Sequence, residues 1–216
     1  MPLPLPYLKT GTGRPVILVP GNGGSHRIFW EGISLLRRYV TVYAPDLPRY
    51  TTKNAAQPLR YETLAEDVFA WIRQLSIEKP VFYGFSDGGI IGLILAEAHP
   101  NLFSSLIVSG VNLDPHGLRP LVRWGLTLKY RMTKAEPVKM MLNGPHIPLE
   151  SLAQITVPTY LTAGQFDCIR PEHTKRIAAH IPHSSLHIMN CHLHGSYVVH
   201  SRKFARYILS VIKDTT

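Results

Sequence analysis

Ten residues near the middle of the chain, Val81-Phe82-Tyr83-Gly84-Phe85-Ser86-Asp87-Gly88-Gly89-Ile90, permit few backbones. An apolar, strand-like run passes through Gly84-x-Ser86-x-Gly88 directly into a long apolar helical run. Joining a strand to a helix in so few residues demands a sharp turn, with the serine in a strained conformation at positive φ. Gly84 and Gly88 are expected where a Cβ would strike the neighbouring strand and helix. The spacing arises by chance in fewer than about one in ten chains of this composition, so the rest of the sequence must support it.

Support comes from the order of the elements. Tyr7–Thr10 reads as a short strand and Pro15–Val19 as a strand buried on both faces, β-branched in three places. Ser25 or His26 leads into a helix holding Phe29, Trp30, Ile33 and Leu36, and Val40–Tyr43 forms the next strand. Arg49–Leu59 has loop composition, and Thr63-x-x-Glu66 predicts a capping box for a helix with Leu64, Val68, Trp71, Ile72 and Leu75 inward. Gly88–His99 is apolar nearly all round, which places it centrally, and Pro100 ends it. Leu106–Val108 is a further strand. Strands at 159–163 and 185–189 alternate later with helices at 172–180 and 201–212. This alternation implies an α/β fold: an open, mostly parallel, doubly wound sheet with sites at the strands' C-terminal ends. Asp114–Glu150 breaks the pattern, carrying Trp124, Leu128, Tyr130, Met132, Met140 and Met141 among many basic residues. About 35 residues cannot bury a core of their own, so residues 1–216 read as one domain with a small helical cap insertion at about 114–150.

Composition narrows the function. Net charge is +9, but the basic residues are dispersed and no nucleic-acid module signature occurs, so no nucleic-acid partner is expected. The local excess lies between Pro115 and Leu142, with Arg119, Arg123, Lys129, Arg131, Lys134 and Lys139 against Glu136 alone. No apolar run reaches a membrane span, and Met1–Pro6 lacks the pattern of a secretory signal. Cys168 and Cys191 make no disulfide framework and suit a reducing cytoplasm.

A serine hydroxyl needs an adjacent base, itself oriented by a third group. With Ser86 at one strand tip, its partners are expected at the tips of others. Asp167 follows the strand ending at Ala163, and Asp114, after the preceding strand, is its rival. His194 follows the last strand, with His192 as its rival. Backbone N–H groups of Asn22, in the loop Pro20-Gly21-Asn22-Gly23-Gly24, and of Asp87 are placed to hold an oxyanion. That loop lacks the Gly-Lys-Ser/Thr of a phosphate loop, and Asp46 reads as a loop-stabilising residue. His192, His194 and Cys191 lack the further ligands of a metal site, so neither metal nor cofactor is expected. The two cysteines read as reduced thiols, with a redox pair beside the site as the minor alternative.

On these residues the chain resembles the α/β-hydrolase fold superfamily over nearly its whole length. Gly-Phe-Ser-Asp-Gly-Gly-Ile is similar to the elbow of the biphenyl hydrolase-like and carboxylesterase branch. His-Gly-Ser-Tyr-Val-Val-His-Ser resembles the catalytic-histidine region of small bacterial members, which implies His194 as the base. Val19-Pro20-Gly21-Asn22 carries proline where relatives have the histidine of His-Gly. The resemblance implies a serine hydrolase acting on carboxylic esters of small acyl substrates, with Ser86, Asp167 and His194 catalytic. Its alternatives are carbon–carbon bond hydrolysis, peracid or haloperoxidase-like chemistry on the same triad, and a non-catalytic binding module. Apolar and methionine residues of the insertion are expected to line the pocket, and Asp87's carboxylate to meet either solvent or a cationic substrate group.

Overall fold

A computed structural model describes residues 2–51 and 59–214. Its strands are β1 (Tyr7–Thr10), β2 (Pro15–Val19), β3 (Thr41–Pro45), β4 (Val81–Phe85), β5 (Ser105–Ser109), β6 (Thr159–Phe166) and β7 (Ser184–Leu193). They form one seven-stranded sheet in the order β1-β3-β2-β4-β5-β6-β7. β1 runs antiparallel to β3, and the pairings from β3 through β7 are all parallel. The helices are α1 (Trp30–Leu36), α2 (Tyr61–Gln74), α3 (Asp87–Ala98), α4 (Pro120–Thr133), α5 (Glu136–Asn143), α6 (Pro171–His180) and α7 (Lys203–Asp214).

The central strands are apolar at consecutive positions because both faces are covered. Side chains alternate across a strand, so Ile17, Val19, Phe82 and Val108 join one core with Leu64, Val68 and Trp71 of α2, Ile90 and Ile91 of α3, and Ile177 of α6. Val16, Leu18, Val81, Tyr83 and Ile107 join the other, with Ile33 and Leu36 of α1 and Phe204, Ile208 and Val211 of α7. α3 is apolar nearly all round, as its sequence requires, and lies against β4, β5 and α2.

Local readings shift in three places. Thr63 is not the N-cap of α2: the helix begins at Tyr61, and Thr63 sits in its first turn, where Oγ1 accepts from the Arg60 N–H at 3.2 Å. The entry into α1 is a 3-10 turn over His26–Phe29 capped by Ser25, and Trp30 points to solvent while Phe29, Ile33 and Leu36 point inward. β6 and β7 run several residues past their apolar runs, because pairing between them continues after the apolar pattern stops. Most of the loop expected over Arg49–Leu59 falls on 52–58, outside the described residues.

Between β5 and β6 the chain makes a 3-10 turn at Pro115–Gly117, then α4 and α5. α5 buries Val138 and Met140, whereas α4 has no buried residue. Among the described residues no helix is long and apolar enough to cross a membrane.

Candidate active site

The turn between β4 and α3 holds Ser86 at φ 54°, ψ −119°, a conformation that costs a non-glycine residue about 1–3 kcal/mol. The surroundings impose it. A Cβ on Gly84 would lie 2.2 Å from the Gly88 carbonyl oxygen, and one on Gly88 would lie 2.2 Å from that of Val19. The Ser86 N–H donates to the Ser109 carbonyl of β5 at 2.8 Å, which anchors the turn to the sheet.

β6 and β7 are parallel and pair as far as Phe166 opposite Leu193, so the next residues, Asp167 and His194, emerge side by side. His194 Nδ1 lies 2.8 Å from Asp167 Oδ1, and its Nε2 lies 3.1 Å from Ser86 Oγ. The ring slides over Gly110, where a Cβ would stand 2.6 Å from Cε1, and packs on Phe85 with centroids 5.0 Å apart. Asp167 is buried, and its carboxylate also accepts from the Gly164 N–H at 3.1 Å and the Ile169 N–H at 3.0 Å. Burial pushes that carboxyl up, but the His194 hydrogen bond and charge, with the two backbone donors, outweigh it and hold it below its ordinary value. An ionised carboxylate only accepts, so Nδ1 carries the proton and the Nε2 lone pair faces Ser86. Burial is the largest single influence on His194 and disfavours its charge, yet the hydrogen bonds and charges of Asp167 and Cys168 together outweigh it, lifting the imidazole above its ordinary value.

The rival residues are engaged elsewhere. His192 is half-buried, with Nδ1 at 2.9 Å from Ser196 Oγ and Nε2 accepting from Lys203 Nζ at 2.6 Å. Asp114 caps a 3-10 turn by accepting from the His116 N–H at 2.6 Å. Asp46 accepts from the His26 N–H at 2.7 Å and meets its ring at 2.8 Å, a loop-stabilising role.

Asp87 departs from expectation. Its carboxylate is neither solvated nor turned to an open subsite: the residue is 2% exposed. It accepts from Tyr50 Oη at 2.7 Å, Tyr61 Oη at 3.2 Å and Asn22 Nδ2 at 3.2 Å. Burial raises its pKa, and the three donors recover only part of that rise. Through this cluster the side chain of one candidate oxyanion residue is tied to the other. Among the described residues the backbone N–H groups of Asn22 and Asp87 have no acceptor within the fold. A Cβ on Gly21 would stand 2.9 Å from Ser86 Cβ, so glycine lets this loop close on the serine.

A cavity of about 240 Å³ opens over Ser86, walled by residues including Asn22, Leu118, Val122, Leu126, Met141 and Ile169. A second hollow of about 400 Å³ shares Val122, Cys168 and His194 and continues along Arg119, Phe166 and Leu193. Arg119 Nε donates to the Asp167 carbonyl at 2.7 Å. Of the insertion's apolar residues, Val122, Leu126 and Met141 line the cavity, whereas Trp124, Leu128 and Met132 face solvent, contrary to expectation. Asp167, Cys168 and His194 bring possible metal-ligand atoms within 4.8 Å of one another, but a metal there would compete with the hydrogen bond that aligns His194 on Ser86. Both cysteines are free thiols. Tyr50 and Tyr61 went unread from sequence as site residues. For the tyrosines no signal exists, since loop and helix positions distant in the chain reach Asp87 only in three dimensions. Cys168, which the sequence places beside Asp167, lines the Ser86 cavity.

A mostly parallel sheet bearing a serine turn after β4, with a carboxylate and a histidine after β6 and β7, has the architecture of an α/β hydrolase. Residues 14–135 match the alpha/beta hydrolase fold family, and the chain belongs to it. A probable alcohol acetyltransferase of Wickerhamomyces anomalus is 28% identical over 104 residues, which are 47% of this chain and 30% of that protein. This chain thus spans under a third of that relative's length. The human serine hydrolase BPHL is 25% identical over 219 aligned positions, covering 86% of this chain and 75% of that protein. A solved esterase from Exiguobacterium antarcticum shares the fold at TM-score 0.83 and 19% identity, covering 97% of this chain and 95% of that one.

Proposed function

We propose that this chain is a serine hydrolase that cleaves carboxylic esters of small acyl groups, with Ser86 as nucleophile, His194 as base and Asp167 orienting it. The observation that carries the reading is the continuous hydrogen-bond chain from Ser86 Oγ through both nitrogens of His194 to a buried carboxylate. His194 Nε2 takes the Ser86 proton as Oγ attacks the ester carbon. The backbone N–H groups of Asn22 and Asp87, with the positive end of α3, stabilise the oxyanion. His194 then protonates the leaving alcohol, and a water activated by the same nitrogen releases the acid. A cavity near 240 Å³ lies below the usual range for drug-sized ligands, which favours short acyl chains. Two free thiols accord with a reducing cytoplasm.

The likeness to the probable alcohol acetyltransferase of Wickerhamomyces anomalus supports a second acceptor, because an acyl-enzyme can yield to an alcohol in place of water. Labelling with a fluorophosphonate probe tests the nucleophile: native protein reacts and Ser86→Ala does not. Equal labelling of both, or none of the native protein, overturns the reading. A p-nitrophenyl ester series from acetate to laurate is expected to favour the short members. Adding ethanol to that assay separates transfer, seen as ethyl ester, from hydrolysis.

A further inference from the structure

We infer that α4 is an interfacial helix that docks this chain on an anionic phospholipid surface. Leu121, Trp124, Leu128 and Met132 are 77%, 65%, 45% and 78% exposed. Their spacing of three, four and four residues puts them on one stripe, within about a quarter of the helix circumference. The inward face is separate, since Val122 and Leu126 point to the Ser86 cavity. Packing against the protein therefore does not account for the outer stripe. Four large apolar side chains on one exposed turn-after-turn face are what a surface helix in water avoids and an interfacial helix needs.

The charges choose the occupant. Arg123, Lys129 and Arg131 lie on the helix, Arg119 just before it and Lys134 just after, and α4 contains no acidic residue. Lys129 and Arg131 border the apolar stripe, where long basic side chains can reach headgroups while the stripe enters the acyl region. A second copy meeting this face would set the same cations against each other, whereas anionic headgroups supply the missing counter-charge. Trp124 at the centre of the stripe suits the headgroup boundary. Exposed Phe166 and Leu193, on the rim of the hollow that contains His194, extend the apolar surface towards the site opening.

The test is sedimentation of the full chain with vesicles of phosphatidylcholine alone or with about a quarter phosphatidylglycerol, at roughly 0.1 M and 0.5 M salt. Binding is expected to the anionic vesicles, at least about tenfold weaker to neutral ones, and reduced at high salt. Two variants, Leu121→Ser/Trp124→Ser/Leu128→Ser and Lys129→Glu/Arg131→Glu, should each lose about tenfold in binding while keeping the native circular dichroism spectrum. No binding to anionic vesicles, or equal binding by both variants, overturns the inference. A dimer in analytical ultracentrifugation that the triple-serine variant dissolves, without vesicle binding by the native chain, assigns the face to a second copy and also overturns it. The readout is independent of ester hydrolysis, so this inference and the proposed activity can fail separately.

Discussion

As the proposed base, His194 must be neutral at Nε2 to accept the Ser86 proton, and its environment works against neutrality. Asp167 at 2.8 Å favours the imidazolium, and the net shift is upward despite burial. A raised pKa means that the neutral base is lost as pH falls through a value higher than usual. The acidic limb of kcat/KM for p-nitrophenyl acetate is therefore expected above about pH 6.5, the ordinary imidazole value. The side chain keeps 27% of its surface in solvent, which limits how far above. A limb at or below the ordinary value would contradict the Asp167–His194 coupling. Replacing the two histidines separately checks the assignment at the same scale. His194→Ala is expected to lower kcat by about 10³-fold or more, as for a base acting as one unit with its nucleophile. His192→Ala, which removes contacts to Ser196, Lys203 and the Tyr197 ring but none to Ser86 or Asp167, should stay within about twofold. The reverse outcome would exchange their roles. In sequence these histidines differ by two positions and look alike, and what separates them is that β7 delivers the second to Asp167.

At the scale of elements, the β4–α3 elbow works because three backbones meet without side chains between them. Gly88 faces the Val19 carbonyl of β2 and Gly84 faces the first turn of α3. Gly88→Ala brings a Cβ within 2.2 Å of Val19 O, and a backbone atom cannot rotate away as a side-chain tip does. Either α3 lifts from the sheet or the loop carrying Asn22 moves. The expected cost is at the upper end of about 1–3 kcal/mol, read as a lower urea midpoint at unchanged slope. Activity should fall further than stability alone explains, because the displaced segment carries the candidate oxyanion N–H. A variant with native midpoint and native kcat would show that the close approach is not needed. Much of this element was legible, since glycines bracketing a serine between two apolar runs leave few alternatives. Its neighbour α2 was less so: Thr63 looked like an N-cap by spacing, but the chain turns helical at Tyr61, whose hydroxyl reaches Asp87.

Across the whole molecule, legibility followed how local the cause was. The succession of strands and helices, and the placing of Ser86, Asp167 and His194 just after strands, could be read because each apolar run ends in a turn that the next element depends on. The Asp87 cluster could not, because Tyr50 and Tyr61 stand 37 and 26 residues from it and nothing near them marks a partner. Nor could the two faces of α4, since periodicity groups Leu121 with Trp124 and Val122 with Leu126 but does not say which group meets the protein. The same asymmetry sets a gradient of stability. β4 and β5 lie between the two cores and α3 lies within one of them, with nearly every side chain buried, so their amides open only when the sheet does. α4 buries none of its residues, and α5 holds only Val138 and Met140. Local opening of that pair exposes little apolar surface and should cost much less than global unfolding. Hydrogen exchange followed by mass spectrometry is expected to show peptides from 120–143 exchanging at least about tenfold faster than those from 81–98. Since Val122, Leu126 and Met141 wall the Ser86 cavity, each opening also widens it, so the fast-exchanging pair would govern access to the serine. Protection of 120–143 equal to that of the elbow would rule out both the gradient and such gating.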